Sequence, residues 1–166
     1  MKWRNKNLPE KQLTAIQLKG SSIASEISKL SSKFDDIVID SGVGESLEQS
    51  LSIADRLIVP FNSKDMGLWT VWTLTNLETA VDRAWDINPD LKAYSFFISK
   101  PDERDAVKNI INTLRKSQYI NYIDDSPLHK ELFGKAMEGG YSIYDLKHPE
   151  KSFISSMSDI FENVQN

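Results

Sequence analysis

The chain has 166 residues, of which 40% are hydrophobic and 27% charged, and this composition fits one soluble globular domain with a buried core. The formal net charge is −4, which argues against a dedicated nucleic-acid-binding protein, because such proteins are usually basic. The absence of cysteine excludes disulfides, thiolate metal sites and thiol nucleophiles, and it fits a reducing compartment.

No stretch of the sequence is apolar over the roughly 18 residues that a membrane-spanning helix requires. The first residues, Met1 to Asn7, contain no apolar run of the kind found in secretory signals. We therefore expect a cytoplasmic protein with no membrane partner. The two histidines, His129 and His148, are far apart in the sequence, and unrelated surface positions are favoured over a metal site.

Four segments are rich in β-forming residues. In chain order they are Leu13–Leu18, which is the weakest, Asp36–Asp40, Arg56–Pro60 and Leu91–Ser99. The second and third are nearly continuous apolar runs, as is typical of strands buried on both faces of a parallel sheet.

Apolar residues between these segments recur at spacings of three and four, which predicts helices. The predicted helices cover approximately 23–34, 47–54, 68–85, 101–114 and 153–164. This alternation of strand and helix predicts an open α/β fold with right-handed crossovers. Ligands of such folds bind at the carboxyl ends of the strands, so the residues directly after each strand are the candidates for function.

The segment DIVIDSGVGES, from Asp36 to Ser46, contains the strongest local pattern. Asp40 follows a β-rich run and precedes a glycine-containing turn and a helix. A carboxylate in that position can hold a water molecule of Mg²⁺, and glycines allow backbone N–H groups to approach a phosphate, as in a Walker B site. The alternative is an aspartate that caps a strand-to-helix turn, which is common.

The partner of such a site is missing from the sequence. A P-loop has the pattern G-x-x-x-x-G-K-[ST], with a lysine that contacts the β- and γ-phosphates. Neither this pattern nor the deviant form K-G-G-x-G-K-[ST] occurs, and the nearest string, Lys19–Ser22, has a single glycine. The residues themselves therefore predict an α/β domain with half of a nucleotide site.

The stretch from Asp36 to Trp69 resembles the middle of ParA-type partition ATPases, the MinD/ParA family with the deviant P-loop. The shared pattern is a buried strand, D-[TS]-G-G-x-[DE]-S, a helix ending in A-D, a strand ending in V-P and a helix beginning near L-W. Three later segments also resemble this family: Ile87–Ala93, Ala136–Asp145 (the signature A-x-x-x-G-x-[ST]-V-x-E) and Lys151–Val164.

This resemblance implies a three-layer, mostly parallel α/β sheet with flanking helices, similar to P-loop NTPases of the SIMIBI type. Residues 1–166 would form a single domain equivalent to the C-terminal two-thirds of a ParA-like domain. The first strand of the family, which carries the P-loop, would lie upstream of Met1. A truncated paralogue, a fragment and one half of a split protein all remain open.

The resemblance also implies a set of ligand positions, with ATP and magnesium as cofactors. Asp40 matches the Walker B aspartate that orders Mg²⁺ through water. Gly42 matches the turn glycine that faces the γ-phosphate, and Ser46 matches the serine that follows it. Ser99 stands where an asparagine commonly reads the adenine edge, and a serine can form only part of that interaction.

Other positions depart from the family pattern. Val43 stands in place of a second glycine, Ser63 in place of a proline, Gly67 in place of an aspartate, and Lys130 in place of a frequent arginine. These departures cluster at ligand positions, whereas the apolar pattern survives. We therefore expect a retained fold with weakened nucleotide binding.

The missing strand has a structural consequence as well. In the family the P-loop strand lies beside the Walker B strand, so Asp36–Asp40 would lose a hydrogen-bonding neighbour. An unpaired apolar strand invites pairing with another chain. We therefore expect a rearranged sheet order or an oligomer.

Two further features are open to a functional interpretation. Three tryptophans, Trp69, Trp72 and Trp85, belong to one predicted helix, where core packing is favoured over a partner surface. Lysines near the C-terminus could form a DNA-contacting face, but acidic residues are interleaved with them, so solvated surface lysines are favoured. These lysines are Lys130, Lys135, Lys147 and Lys151.

The sequence thus predicts a ParA-like partition protein, involved in plasmid or DNA segregation, that does not hydrolyse ATP on its own. One alternative is an active ATP- and Mg-dependent partition ATPase whose P-loop half is supplied in trans. Another is a non-catalytic scaffold that binds ParA or its partner. The expected partners are a second copy of the chain or a ParA- or ParB-type protein, with weak non-specific DNA binding in addition.

Overall fold

The computed structural model describes residues 15–18, 22–62, 68–98, 104–124, 130–147 and 151–165. The described elements, in chain order, are α1 (Ile23–Leu30), α2 (Glu45–Leu51), β1 (Arg56–Asn62), α3 (Leu68–Trp85), β2 (Lys92–Ile98), α4 (Arg104–Leu114), β3 (Asn121–Tyr122), α5 (Lys130–Gly139), a 3₁₀ turn (Ile143–Asp145) and α6 (Lys151–Gln165). The predicted α/β class, the strands β1 and β2 and the five predicted helices are confirmed. No helix in these ranges is long and apolar enough to cross a membrane.

The sheet has three strands in the order β1-β2-β3, and both neighbouring pairs are parallel. Arg56 is in register with Lys92 at the start of the β1–β2 ladder, and Tyr94 is in register with Asn121 in the β2–β3 ladder. The helices α3 and α4 are the crossovers that parallel neighbours require. The carboxyl ends of the strands therefore lie at a common edge of the sheet.

The central strand β2 contributes to two hydrophobic clusters, because successive side chains of a strand point to opposite faces. Ala93 and Phe97 belong to one cluster, and Tyr94 and Phe96 belong to the other. The first cluster is completed from α3 and α4, mainly by Leu74, Val81 and Leu114. The second is completed from α5 and α6, mainly by Ala136, Met157, Ile160 and Val164.

The predicted strand at Asp36–Asp40 is wrong. Residues 36–40 belong to no strand of the described sheet, and within the described part of the chain residues 36–43 take part in no hydrogen bond. The β-forming side chains are present, but a strand is defined by its ladder, and this segment has no neighbour to pair with. Residues 15–18 of the weak predicted strand are likewise outside any element, and the rest of that strand lies outside the described residues.

The end of α6 is joined to the beginning of β1 through Arg56. Its guanidinium donates from Nε to the carbonyl of Val164 and from a terminal nitrogen to the carbonyl of Gln165, the latter at 2.8 Å. These carbonyls are at the end of the helix, where they lack intrahelical donors and where a cation is favoured by the helix dipole. The C-terminal helix is thereby fixed relative to the sheet.

Replacing Ser95 by alanine is expected to raise the free energy of unfolding by about 1 kcal/mol, because a buried hydroxyl without a partner keeps its desolvation penalty. Ser95 lies in β2 and is 0% exposed, and within the described structure its Oγ has no hydrogen-bond partner. Urea unfolding measures the change.

The matched control is Ser50→Ala, because Ser50 is also buried but its Oγ donates to the carbonyl of Ser46 at 2.7 Å. This variant loses a hydrogen bond and gains helix propensity, so it is expected to change stability by less than about 0.5 kcal/mol. A loss of stability in Ser95→Ala would contradict the assignment of an unsatisfied hydroxyl.

Candidate functional site

The positions that the sequence pattern assigns to magnesium and phosphate lie on the segment that leads into α2. Asp40 and Gly42 are exposed, and Ser46 is half-buried in the first turn of that helix. The side chain of Asp40 has no hydrogen-bond partner among the described residues. The three positions are thus close in the sequence, but no described contact orients the carboxylate.

The glycine that the backbone requires here is Gly44. It precedes α2 with a φ of 67°, a conformation that side-chain-bearing residues rarely adopt. Gly42 has no positive φ, and a Cβ placed on it would meet nothing within 4 Å. Val43, between them, is 91% exposed. Gly44 was not among the predicted site residues, although its position directly before an acidic helix start is a signal for a helix cap.

The charge around this segment is strongly negative. Between residues 35 and 55 the sequence contains six acidic residues and no basic one: Asp35, Asp36, Asp40, Glu45, Glu48 and Asp55. Glu45 and Glu48 occupy the first turn of α2, where they offset the partial positive charge of the helix N-terminus. Part of this charge is offset, because the Arg83 guanidinium lies 3.7 Å from Glu48 and Arg56 follows Asp55 directly. The remaining acidic residues attract a cation such as Mg²⁺ and repel a triphosphate.

The remaining positions that were compared with the family pattern are Ser63, Gly67, Ser99 and Lys130. Ser63, Gly67 and Ser99 lie outside the described residues, and so does the side chain of Lys130. Within the described ranges no three Asp, Glu or His side chains are grouped so that they could hold a metal ion together.

The carboxylate that follows β3 is already paired. Both oxygens of Asp124 accept hydrogen bonds from the Arg115 guanidinium, at 2.7 and 2.6 Å. The same guanidinium lies 5.8 Å from the centre of the Tyr122 ring, in cation–π geometry. This arrangement ties the end of α4 to the end of β3.

The tryptophans divide between core and surface. Trp85 packs in the core as predicted: its indole N–H donates to the Leu91 carbonyl at 2.9 Å, and its ring lies 5.6 Å from that of Tyr119. The core prediction is wrong for Trp72, which is 60% exposed on α3. The side chain of Trp69 lies outside the described residues.

Three of the four lysines considered for DNA contact have described side chains. Lys135, Lys147 and Lys151 are exposed, and Glu138 is exposed on the same helix as Lys135. The basic side chains are therefore accompanied by an acidic one, as the sequence pattern indicated. This is the arrangement of an ordinary solvated surface.

The segment Ala136–Asp145, which resembles a family signature, has a structural explanation at several positions. Ala136 is 2% exposed and packs in the core, and Gly140 ends α5 with a φ of 72°. The amide of Gly140 donates to the Met137 carbonyl at 3.1 Å, and the amide of Tyr141 donates to the Ala136 carbonyl at 2.9 Å. These two bonds form a Schellman motif, which satisfies carbonyls that the helix leaves without donors.

The second half of this segment begins the following 3₁₀ turn. One carboxylate oxygen of Asp145 accepts hydrogen bonds from the amide and the hydroxyl of Ser142, at 2.9 and 2.7 Å. Ile143 between them is 6% exposed and joins the core cluster. The small, polar and apolar positions of this segment thus have roles in helix termination, capping and packing.

Comparison with protein-family models, with curated proteins and with solved structures finds no match for this chain. The resemblance to ParA-type partition ATPases therefore depends on the order and spacing of the motifs in the sequence alone. The described structure is an α/β domain with a small parallel sheet, flanking helices and a negatively charged, unpaired segment before α2.

Proposed function

We propose that this chain is a ParA-like partition protein, that it acts in the segregation of plasmid or chromosomal DNA, and that it does not hydrolyse ATP on its own. The order of motifs supports the first part of the proposal. The parallel β1–β2 pair with α3 as crossover is compatible with it. A three-layer sheet of the P-loop NTPase type that lacks its P-loop strand is part of the same proposal.

The environment of Asp40 is the observation that supports a lack of ATP hydrolysis by this chain alone. A Walker B aspartate acts on Mg²⁺ that is shared with phosphates, and the P-loop supplies most of the phosphate contacts. Here the P-loop pattern is absent from the sequence, and Asp40 is exposed without a hydrogen bond in the described structure. The six acidic residues of the segment add repulsion of a triphosphate.

An ATPase whose P-loop half comes from another chain is the second candidate. Residues 36–40 favour it, because they are rich in β-forming side chains and no strand of the described sheet pairs with them. A strand carrying a P-loop would give this segment a ladder and would bring phosphate contacts close to Asp40. A non-catalytic scaffold is the remaining alternative. In that case residues 36–40 would bind ParA or its partner, and no nucleotide would be bound.

A titration with a fluorescent ATP analogue, with and without Mg²⁺, tests the proposal. We expect no saturable binding up to millimolar nucleotide, because the phosphate contacts of the P-loop are missing. Asp40→Ala is the test variant. Asp36→Ala is its matched control, because Asp36 is also exposed and acidic on the same segment. Repeating the titration with an added P-loop half from a ParA-type ATPase tests the second candidate.

Saturable, Mg²⁺-dependent binding that is lost in Asp40→Ala and kept in Asp36→Ala would contradict the lack of autonomous nucleotide binding. If saturable, Mg²⁺-dependent binding occurs only after the P-loop half is added, the second candidate is established. The partition role has its own readout: deletion of the gene should raise the loss rate of the replicon that carries it. An unchanged loss rate would refute that role.

A further inference from the structure

Residues 36–40 have the side-chain pattern of a strand without the hydrogen bonds of one. Ile37 and Ile39 are half-buried, whereas Asp36, Val38 and Asp40 are exposed. Val38 is 93% exposed. Alternation with a period of two is the pattern of an extended segment that covers a surface with one of its sides. Its backbone donors and acceptors are all unpaired within the described structure.

The strand β1 has the complementary property, an edge without a neighbour. Among the described residues β1 pairs with β2 on one side and with no strand on the other. Its first five residues alternate in the same phase as residues 36–40: Leu57 and Val59 are half-buried, and Arg56, Ile58 and Pro60 are exposed. Ile58 is 41% exposed. A proline is tolerated in such an edge strand, where a missing N–H interrupts few ladder bonds.

We propose that the chain forms a dimer in which residues 36–40 of each copy add as a strand to the free edge of β1 of the other copy. In the parallel direction of this sheet, Asp36 lies beside Arg56, Val38 beside Ile58 and Ile39 beside Val59. Half-buried residues then adjoin half-buried residues, and exposed apolar residues adjoin each other. This inference holds independently of the proposed partition function.

A second copy is the occupant that fits, because each chain contains both the free strand and the free edge. Reciprocal exchange satisfies both in each copy and gives a closed two-fold assembly, so no edge is left to continue into a fibre. In this register Asp36 meets Arg56, whose guanidinium also donates to the end of α6, and Asp35 lies beside Asp55, so charge neither favours nor opposes the pairing. The extended segment and the edge are not paired with each other within one chain.

The mass of the native chain in solution is the first measurement. We expect a species of twice the 18.9 kDa of the monomer, with concentration-dependent protection of the amides of residues 37–40 from hydrogen exchange. Ile39→Pro removes the N–H that in this register donates to the Ile58 carbonyl, and Ile58→Lys places a charge on the edge strand. Each variant alone is expected to lose the dimer. Their mixture is expected to recover it, because one intact strand still meets one intact edge.

Cysteine cross-linking tests the register, since the native chain contains no cysteine. Neighbouring strands are about 4.8 Å apart, within the range of roughly 4.4–6.8 Å that a disulfide bridges between Cα atoms. A mixture of Val38→Cys and Ile58→Cys chains is expected to give the mixed disulfide on mild oxidation. Val43→Cys mixed with Ile58→Cys is the matched control, because Val43 is equally accessible, at 91%, but lies outside the strand.

Three outcomes would overturn the proposal. One is a monomer at every concentration at which the native chain stays in solution. Another is a dimer that both Ile39→Pro and Ile58→Lys leave intact, with circular dichroism showing that the variants are folded. The third is equal cross-linking of the Val38→Cys and Val43→Cys chains with Ile58→Cys, which would indicate random collision.

Discussion

Replacing Asn88 by alanine is expected to lower the free energy of unfolding by about 2–3 kcal/mol, because two hydrogen bonds to partly buried carbonyls are lost together. The Asn88 side-chain amide donates to the carbonyls of Leu51 and Ala54, both at 2.9 Å. Leu51 is the last residue of α2, and its carbonyl has no donor within the helix. One side chain thus ties the end of α2 to the turn between α3 and β2.

The same region is packed by a hydrophobic cluster of Leu51, Ala84 and Leu91, which are all buried. Loss of the amide leaves this cluster in place, but the two carbonyls must then find water at a half-buried site. Thermal unfolding should show a decrease in Tm of about 4–12 °C, since 1 kcal/mol corresponds to about 2–4 °C for a domain of this size.

Two variants complete the Asn88 experiment. Asn76→Ala is the matched control: its amide also donates to a main-chain carbonyl, that of Trp72 at 2.8 Å, but on the exposed face of α3. It is expected to change stability by less than about 0.5 kcal/mol. Asn88→Asp keeps the size but places a carboxylate against two carbonyl oxygens, so it should destabilise at least as much as alanine. Equal losses of stability in Asn76→Ala and Asn88→Ala would show that the two hydrogen bonds of Asn88 stabilise the fold no more than one surface hydrogen bond does.

The periodic part of the fold was predictable from the sequence. The helix at Leu68–Trp85 and the strand at Lys92–Ile98 were predicted because long apolar patterns reflect local geometry and burial together. The helix Lys130–Gly139 and the two-residue strand Asn121–Tyr122 were not predicted. That strand is too short to have a pattern of its own, and it exists through its pairing with β2.

The failure at Asp36–Asp40 has a different physical cause. Its nearly continuous apolar run predicted burial on both faces, but the side chains alternate between half-buried and exposed, and Val38 is 93% exposed. Whether a ladder forms depends on a neighbour, which is not a property of the segment. The sequence therefore showed the β-forming composition of the segment, but it predicted both its hydrogen bonding and its burial wrongly.

The nearness of the candidate site residues in the chain was predictable from the sequence, but their exposure and backbone conformation were not. The motif places Asp40, Gly42 and Ser46 together before α2, and this follows from the order of residues alone. The exposure of Asp40 and the requirement for glycine at Gly44 depend on backbone conformation. The roles of Asn88 and Gly140 depend on contacts between elements, so a motif search assigns them to a family pattern without showing what they do.

Gly134, within α5, and Gly140, directly after its end, are expected to respond to alanine with opposite signs. Gly140 has a φ of 72°, where a Cβ is strained, so Gly140→Ala should lower the free energy of unfolding by about 1–3 kcal/mol. Gly134 lies within the helix and is exposed, and a Cβ added to it would meet nothing within 4 Å. Gly134→Ala should therefore raise stability by about 1 kcal/mol through helix propensity.

Urea unfolding of both variants measures this difference, and the sign of each change is the decisive result. The strain at Gly140 cannot be relieved cheaply, because its amide and that of Tyr141 donate the two bonds that end the helix. Gly140→Asn is the informative third variant, since asparagine tolerates the left-handed region better than alanine and should recover part of the loss. If alanine were neutral at Gly140, the helix would end in another way, and Gly140 would need a functional rather than a structural explanation.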